Sequence, residues 1–287
     1  MKGAGLVVAF WGSVRVVKGD AYDSLWSDWQ VKHGEMTLST VSLEERRVNF
    51  VRNVELVRAH NAAADAGEHS FWLSEDTPLA DLSLAEYQAT LKGRGGGVGG
   101  TSRAPSDSAP PGDRGAPPDA WDWRDTKNVV GPVKNQWMCG SCWAFSAVAT
   151  MEGAWNRKTG NLSTFSEQQI LDCDVGPKAC DGGYMFQAID YVHKQGGLEL
   201  ESSYPYIGLW SKGTCKYDAD KAVGKFSGYQ NVTYGDETAL KVAAYEQPVV
   251  SVGIDASTAL FQLYRFGVFD DRTCSNATKD ILSLIHI

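Results

Sequence analysis

Residues Cys139-Gly140-Ser141-Cys142-Trp143-Ala144-Phe145-Ser146-Ala147-Val148-Ala149-Thr150-Met151-Glu152 decide how this chain is read. Ala144, Val148, Met151 and Trp155 keep a helical period, and the other faces are also mostly apolar. A helix apolar almost all round belongs at the centre of its domain. The two cysteines at its start leave three readings. A zinc site would recruit Cys173 and Cys180, but those separations and a buried helix suit a compact zinc ribbon poorly. A redox pair would follow a central strand, and Gly131-Pro132-Val133-Lys134-Asn135-Gln136 does not read as one. The third reading makes Cys142 a nucleophile at the first helical turn, where the helix dipole favours thiolate over thiol.

Outward from this helix, a second one is predicted over Tyr184–Lys194, ended by Gly196-Gly197. From Gly224 onward short runs of Val, Ile, Phe and Tyr predict strands, for example Pro248-Val249-Val250-Ser251-Val252-Gly253-Ile254. Helices first and strands later argue for an α+β unit. Upstream, half of the 26 residues of Gly93–Pro118 are Gly or Pro, so this stretch cannot bury a core and reads as a protease-accessible linker. The unit before it holds none of the six cysteines and reads as helical. Ser42-Leu43-Glu44-Glu45 forms a capping box, and Phe50, Val54, Val57 and Asn61 then fall on one helical stripe. A shorter helix holds Leu25, Trp26 and Trp29 and stops at Gly34.

Charge and composition exclude several functions. The chain has 287 residues, 43% hydrophobic and 22% charged, which suits about two globular domains. No run approaches the roughly 18 apolar residues that span a bilayer. A net charge of −8 repels phosphate backbones, so nucleic acid is not an expected partner. Lys2 followed by Leu6-Val7-Val8-Ala9-Phe10-Trp11 reads as a possible signal peptide over residues 1–20. Sequons at Asn161, Asn231 and Asn276 fit a secretory route. Glu152, Glu167 and His193 read as structural, by buried pairing, capping and helix-end placement.

The segment Asn135-Gln136-Trp137-Met138-Cys139-Gly140-Ser141-Cys142-Trp143-Ala144-Phe145-Ser146 resembles the active-site segment of the papain family of cysteine proteases. Asp122-Trp123-Arg124, Ser166-Glu167-Gln168, Cys180-Asp181-Gly182-Gly183, Tyr204-Pro205-Tyr206 and Phe261-Gln262-Leu263-Tyr264 resemble further family motifs in the same order. The resemblance implies a two-lobed α+β catalytic domain over 119–280, a helical lobe plus an incomplete antiparallel β-barrel lobe. It is preceded by a helical inhibitory propeptide over 21–92, where Arg46, Phe50, Asn53 and Asn61 match the family's spaced motif, although Ser42 stands where Glu is usual, Val57 replaces Ile, and of the second propeptide signature only Asp81 is present. Segment 93–118 would join the two.

By the same resemblance, Cys142 is the nucleophile that forms an acyl-enzyme. The Gln136 amide joins the Cys142 backbone N–H in an oxyanion hole, worth about 3 kcal/mol per donor. Trp137 stands where the family usually has Gly, which implies either strain in that loop or an altered oxyanion geometry. Gly182 and Gly183 would pair with substrate backbone, and Tyr184, Met185 and Gly253 would line a roomy apolar pocket for the second residue before the cut. The implied disulfides are Cys139 with Cys180 and Cys173 with Cys215, leaving Cys274 over. No metal or cofactor is implied. The expected partners are protein or peptide substrates and the chain's own propeptide, in a secreted or lysosomal/vacuolar setting.

The family's catalytic His is due about seven residues after Cys274, directly after Lys279-Asp280. The sequence there reads Ile281-Leu282-Ser283-Leu284-Ile285-His286-Ile287. Residues 281–287 are therefore expected to lie outside the family pattern, and the chain to be an inactive copy truncated before its His and Asn. The alternative function is a non-catalytic pseudoenzyme or a propeptide-type protease inhibitor.

Overall fold

The computed structural model describes residues 20–36, 39–90, 114–126, 128–137, 139–174, 179–208, 213–233, 235–274 and 281–284. The expected signal segment up to residue 19, linker residues 93–113, Asn276 and His286 lie outside them.

The first unit is built on α1 (Asp20–His33) and α2 (Leu43–Asp65). Ser42 caps α2 as its spacing predicts, its hydroxyl accepting the Glu45 N–H at 3.3 Å, a contribution of about 1 kcal/mol. Trp26 and Trp29 stack at 5.2 Å and tilt onto Phe50, which is fully buried with Val54 and Val57 on the expected stripe. Asn53 lies on α2 as well, and its amide donates to the carbonyls of Ala80 and Leu82. Arg46 binds the fully buried Asp81 at 2.6 Å. These polar contacts fix the chain after α2 onto the helix, where unpaired buried groups would be costly.

This unit does not close its own core. Strand β1 (Phe71–Leu73) pairs antiparallel with β5 (Tyr264–Gly267), and Trp72 stacks on Phe266 at 5.0 Å. Leu263, 1% exposed, completes the cluster of Trp26, Trp29, Phe50 and Phe71. Gly267 sits at φ +104, and a Cβ there would meet the Ser70 carbonyl oxygen at 2.4 Å. Gly267→Ala should therefore loosen the β1–β5 pairing selectively. We expect amide exchange at Val268 and Ser74, whose N–H groups donate across the junction to the Ser70 and Leu263 carbonyls, to speed up on the order of tenfold in the intact chain; unchanged exchange there would contradict this account of the junction.

The second unit is organised around α4 (Cys142–Thr159), buried from Cys142 to Ala149 as its all-round apolar sequence predicts. Helices α5 (Glu167–Cys173) and α6 (Met185–Gln195) pack against it, and α6 lies within one residue of its sequence expectation at each end. Strand β2 (Leu198–Glu199) pairs with β3 (Ala222–Gly224), and β4 (Val252–Asp255) with β6 (Ile281–Leu284). The short helices α3 (Leu84–Thr90) and α8 (Ala259–Gln262) meet at the boundary of the two units.

Two expectations need correction. The run from Pro248 becomes strand only at Val252. Pro248 has no N–H for a ladder, and Val249 packs against Gly153 of α4 instead. Helix α7 (Glu237–Glu246), capped by Asp236 on the Ala239 N–H at 2.9 Å, occupies part of the region read as strands. The strands pair only two by two, and no barrel closes among the described residues. No helix among them is long and apolar enough to cross a membrane.

Candidate active site

Cys142 is the first residue of α4, 8% exposed, and takes part in neither disulfide. The preceding Ser141 gives the helix no side-chain cap. Its hydroxyl instead meets the Tyr206 hydroxyl at 2.9 Å, while Tyr206 donates to the Gln136 carbonyl at 2.7 Å. Burial pushes the Tyr206 phenol up to about 12, so it stays a neutral donor. Tyr206 thus ties the Gln136 loop to the start of α4, a link that its place in the Tyr204-Pro205-Tyr206 motif alone did not reveal. An uncapped helix N-terminus favours a thiolate through its dipole and its backbone N–H groups.

Gln136 is half-buried, and its amide donates to the Cys139 carbonyl at 2.8 Å. One of its two N–H donors is so engaged. Trp137, 56% exposed, adopts φ +53, a left-handed conformation that costs a bulky residue about 1–2 kcal/mol. The Asn135 side-chain oxygen accepts its N–H at 2.8 Å and holds the turn. The strain expected at Trp137 is present.

The disulfides join Cys139 to Cys180 and Cys173 to Cys215. Beside the first, Gly140 bridges Asp181 and the Trp143 indole donates to the Ala179 carbonyl at 3.2 Å. A Cβ on Gly183 would lie 2.5 Å from the Trp143 ring, so glycine is required there by the packing of α4 itself. Gly182 has φ +101. Tyr184 stacks on Phe186 at 5.3 Å, and Met185, partly buried, packs against the core. Gly253 is exposed in β4. Two residues before it, Ser251 hydrogen-bonds Ser146, one turn along α4 from Cys142. Gly182, Gly183 and Gly253 are therefore carried by segments anchored to the first two turns of α4.

The first unit reaches the same place. Tyr87 of α3 is 4% exposed and donates to the Ala256 carbonyl at 2.9 Å, while Gln88 donates to the Ser257 carbonyl at 2.7 Å. Burial raises the Tyr87 phenol far above its usual value, and the charges of Cys142 and Asp255 push the same way. The N-terminal unit is therefore docked on the Ala256–Ser257 segment that follows β4.

Lys134 was not singled out in the sequence. Its ammonium binds Glu152 at 2.6 Å and Glu167 at 2.7 Å behind the site. Burial pushes Glu167 up to about 7 against the pull of Lys134, and it raises Glu152 as well. Pairing is the structural role expected for both carboxylates. The histidines among the described residues are engaged elsewhere. His33 binds Asp76 at 2.8 Å, His60 stacks on His69 at 4.3 Å, and His193 bonds the Phe226 carbonyl at 3.0 Å. The position seven residues after Cys274 is Ile281, whose backbone opens β6 opposite Asp255. No group of three or more His, Cys, Asp or Glu among the described residues could hold a metal ion.

Comparison with known proteins agrees with this geometry. Residues 117–285 match the papain family cysteine protease domain, and residues 26–87 match the cathepsin propeptide inhibitor domain. The chain is 37% identical to cathepsin K of Mus musculus over 259 residues, 88% of this chain and 75% of that one. It is 35% identical to digestive cysteine proteinase 2 of Homarus americanus over 257 residues, 89% of this chain and 77% of the relative. The solved structure of digestive procathepsin L 3 from Tenebrio molitor larval midgut superposes with a TM-score of 0.78 at 30% identity, covering 93% of this chain and 84% of that one.

Proposed function

The chain belongs to the papain family of cysteine proteases, and on that premise we propose that Cys142 is its nucleophile and residues 21–92 its inhibitory propeptide. The observation that carries the reading is the placement of Cys142 on an uncapped N-terminus of a buried helix, with Tyr87 of the propeptide docked on the Ala256 carbonyl of the same unit. The thiolate attacks the peptide carbonyl, the C–N bond breaks as the amine leaves with a proton taken from water, and a further water hydrolyses the thioester to a carboxylic acid and the Cys142 thiol. The second N–H of the Gln136 amide and the Cys142 backbone N–H stabilise the oxyanion. Gly182 and Gly183 take the substrate backbone, and Tyr184, Met185 and Gly253 favour an apolar side chain at the second position before the cut. Docking of β1 and α3 on the catalytic unit supports inhibition in cis. Two disulfides support passage through an oxidising compartment, hence a secreted or lysosomal setting.

A second reading, a non-catalytic relative, is favoured by one observation: isoleucine rather than histidine opens β6. One experiment on the chain after proteolytic removal of the propeptide tests both. An epoxysuccinyl reagent at pH 5 is expected to modify Cys142 well ahead of the exposed Cys274, and Cys142→Ala should abolish that selectivity. Equal labelling of the two thiols would sink the nucleophile assignment. Turnover of a dipeptide amide that vanishes in Cys142→Ala would instead eliminate the non-catalytic reading.

A further inference from the structure

The two donors assigned to the oxyanion come from different segments. Gln136 lies in the loop before the first disulfide, and the Cys142 N–H opens α4. Their separation is set by how the two segments are held together, and one hydroxyl stands between them. Tyr206 gives its single proton to the Gln136 carbonyl at 2.7 Å, so in the 2.9 Å contact with Ser141 the serine is the donor. The Cys139 carbonyl, 3.3 Å from the same serine hydroxyl, is the weaker acceptor. Ser141 immediately precedes Cys142, and its own carbonyl accepts the Ala144 and Phe145 N–H groups that start the helix. One bond of Tyr206 thus holds the residue that carries the amide donor. The other holds the residue before the backbone donor.

Tyr206 is itself firmly placed. Its backbone N–H donates to Glu201 at 2.8 Å, and its ring stands edge-on to Phe145 of α4 at 4.9 Å. The Glu201 N–H donates in turn to the Thr164 carbonyl at 2.9 Å. Two residues beyond Tyr206, Gly208 approaches the loop so closely that a Cβ there would meet the Trp137 Cβ at 3.2 Å. The loop needs such support, because Trp137 holds φ +53 and a left-handed tryptophan persists only where its surroundings fix it. Gln136 is bonded to Cys139 through both its carbonyl, at 3.3 Å, and its amide, at 2.8 Å. Those contacts shape the loop, whereas Tyr206 ties it to α4.

We propose that Tyr206 is a positioning residue for the oxyanion hole, its hydroxyl fixing the distance between Gln136 and the Cys142 N–H. This role rests on the reading of Cys142 as nucleophile and deepens it. When a thiolate adds to a carbonyl, charge moves to the carbonyl oxygen, and both donors act on it only if each lies at about 2.7–3.1 Å. A misplacement of about 1 Å can cost on the order of a hundredfold in rate. Tyr206 acts through Gln136 and Ser141, so loss of its hydroxyl should slow addition to carbonyls and spare displacement at saturated carbon.

Two small reagents separate these effects on the intact, oxidised chain. With p-nitrophenyl acetate the thiolate adds to the carbonyl, an oxyanion forms, the C–O bond breaks and p-nitrophenolate leaves an acetyl thioester. Iodoacetamide alkylates the same sulfur with loss of iodide and forms no oxyanion. The ratio of acetylation to alkylation rates, read at each thiol by peptide mass spectrometry, cancels differences in access and thiolate fraction. The exposed Cys274 is the reference. In the parent chain the ratio at Cys142 should exceed that at Cys274 by about tenfold or more. Tyr206→Phe, which keeps the ring against Phe145, should lower the Cys142 ratio about five- to tenfold. Ser141→Ala, which removes one of the two links, should lower it about two- to threefold. Equal ratios at the two thiols of the parent would sink the oxyanion reading itself, and the role of Tyr206 with it. A raised parent ratio that both substitutions leave unchanged, even if both rates fall together, would overturn the positioning role alone.

Discussion

Replacing Cys139 and Cys180 together by alanine is expected to lower the stability of the catalytic unit by about 4 kcal/mol. The bridge closes a loop across a sequence separation of 41 residues. Releasing a loop of that length returns chain entropy to the unfolded state of about that size. For a unit of this size the melting temperature should fall by roughly 8–16 °C, readable by calorimetry on the oxidised protein. The bridge also ties the segment 139–142 to Asp181–Gly183, whose glycine accepts the Trp143 ring. The double variant should therefore lose the preferential labelling of Cys142 over Cys274 even at temperatures where it remains folded. A variant that melts within a degree or two of the parent would show that α4 and its neighbours hold together without the clamp.

Raising the pH from 5 to 8 should destabilise the parent protein through the Lys134 cluster, by roughly 3 kcal/mol if the Glu167 shift is expressed in full. Two carboxylates, Glu152 and Glu167, face one ammonium, and Glu201 adds a third acid whose pKa is also raised by burial. Glu167 has its folded pKa raised to about 7 from an ordinary value of 4.5. Between those values the folded state binds more protons than the unfolded one. The stabilisation is thus fully present below about pH 4.5 and is lost as pH rises through about 7. Glu167→Gln keeps the shape and a hydrogen-bonding group but removes this titration. Its urea midpoint should change much less between pH 5 and 8 than that of the parent. If the two proteins lose stability in parallel over that range, the cluster is not the source of the dependence.

That Lys134 is the partner of Glu152 and Glu167 was invisible in the sequence for a plain reason. Its partners lie 18 and 33 residues away and meet it only because α4 and α5 pack side by side. The same holds for Tyr87, which reaches the Ala256 carbonyl across 169 residues, and for Arg114, which reaches Tyr245 across 131. Long-range polar contacts follow from how elements dock, and no local pattern carries them. Helix α7 was missed for a different reason. Its apolar residues are mostly half-buried and share their region with β-prone runs, so the strand signal dominated.

Local chemistry, by contrast, was decided by local residues. The apolar girth of Cys142–Thr159 required a central helix, Ser42 required the start of α2, and Gly196 closed α6. The motifs around Cys142 were enough to indicate the family and the pairing of four cysteines. What only the tertiary structure decided is how the two halves share one body. Leu263 completes the propeptide core, β1 takes β5 as its partner, and Arg114 lies over Trp123. Periodicity and capping act over a few residues and can be read along the chain. Docking depends on surfaces assembled from distant segments, and it exists only once the fold has brought them together.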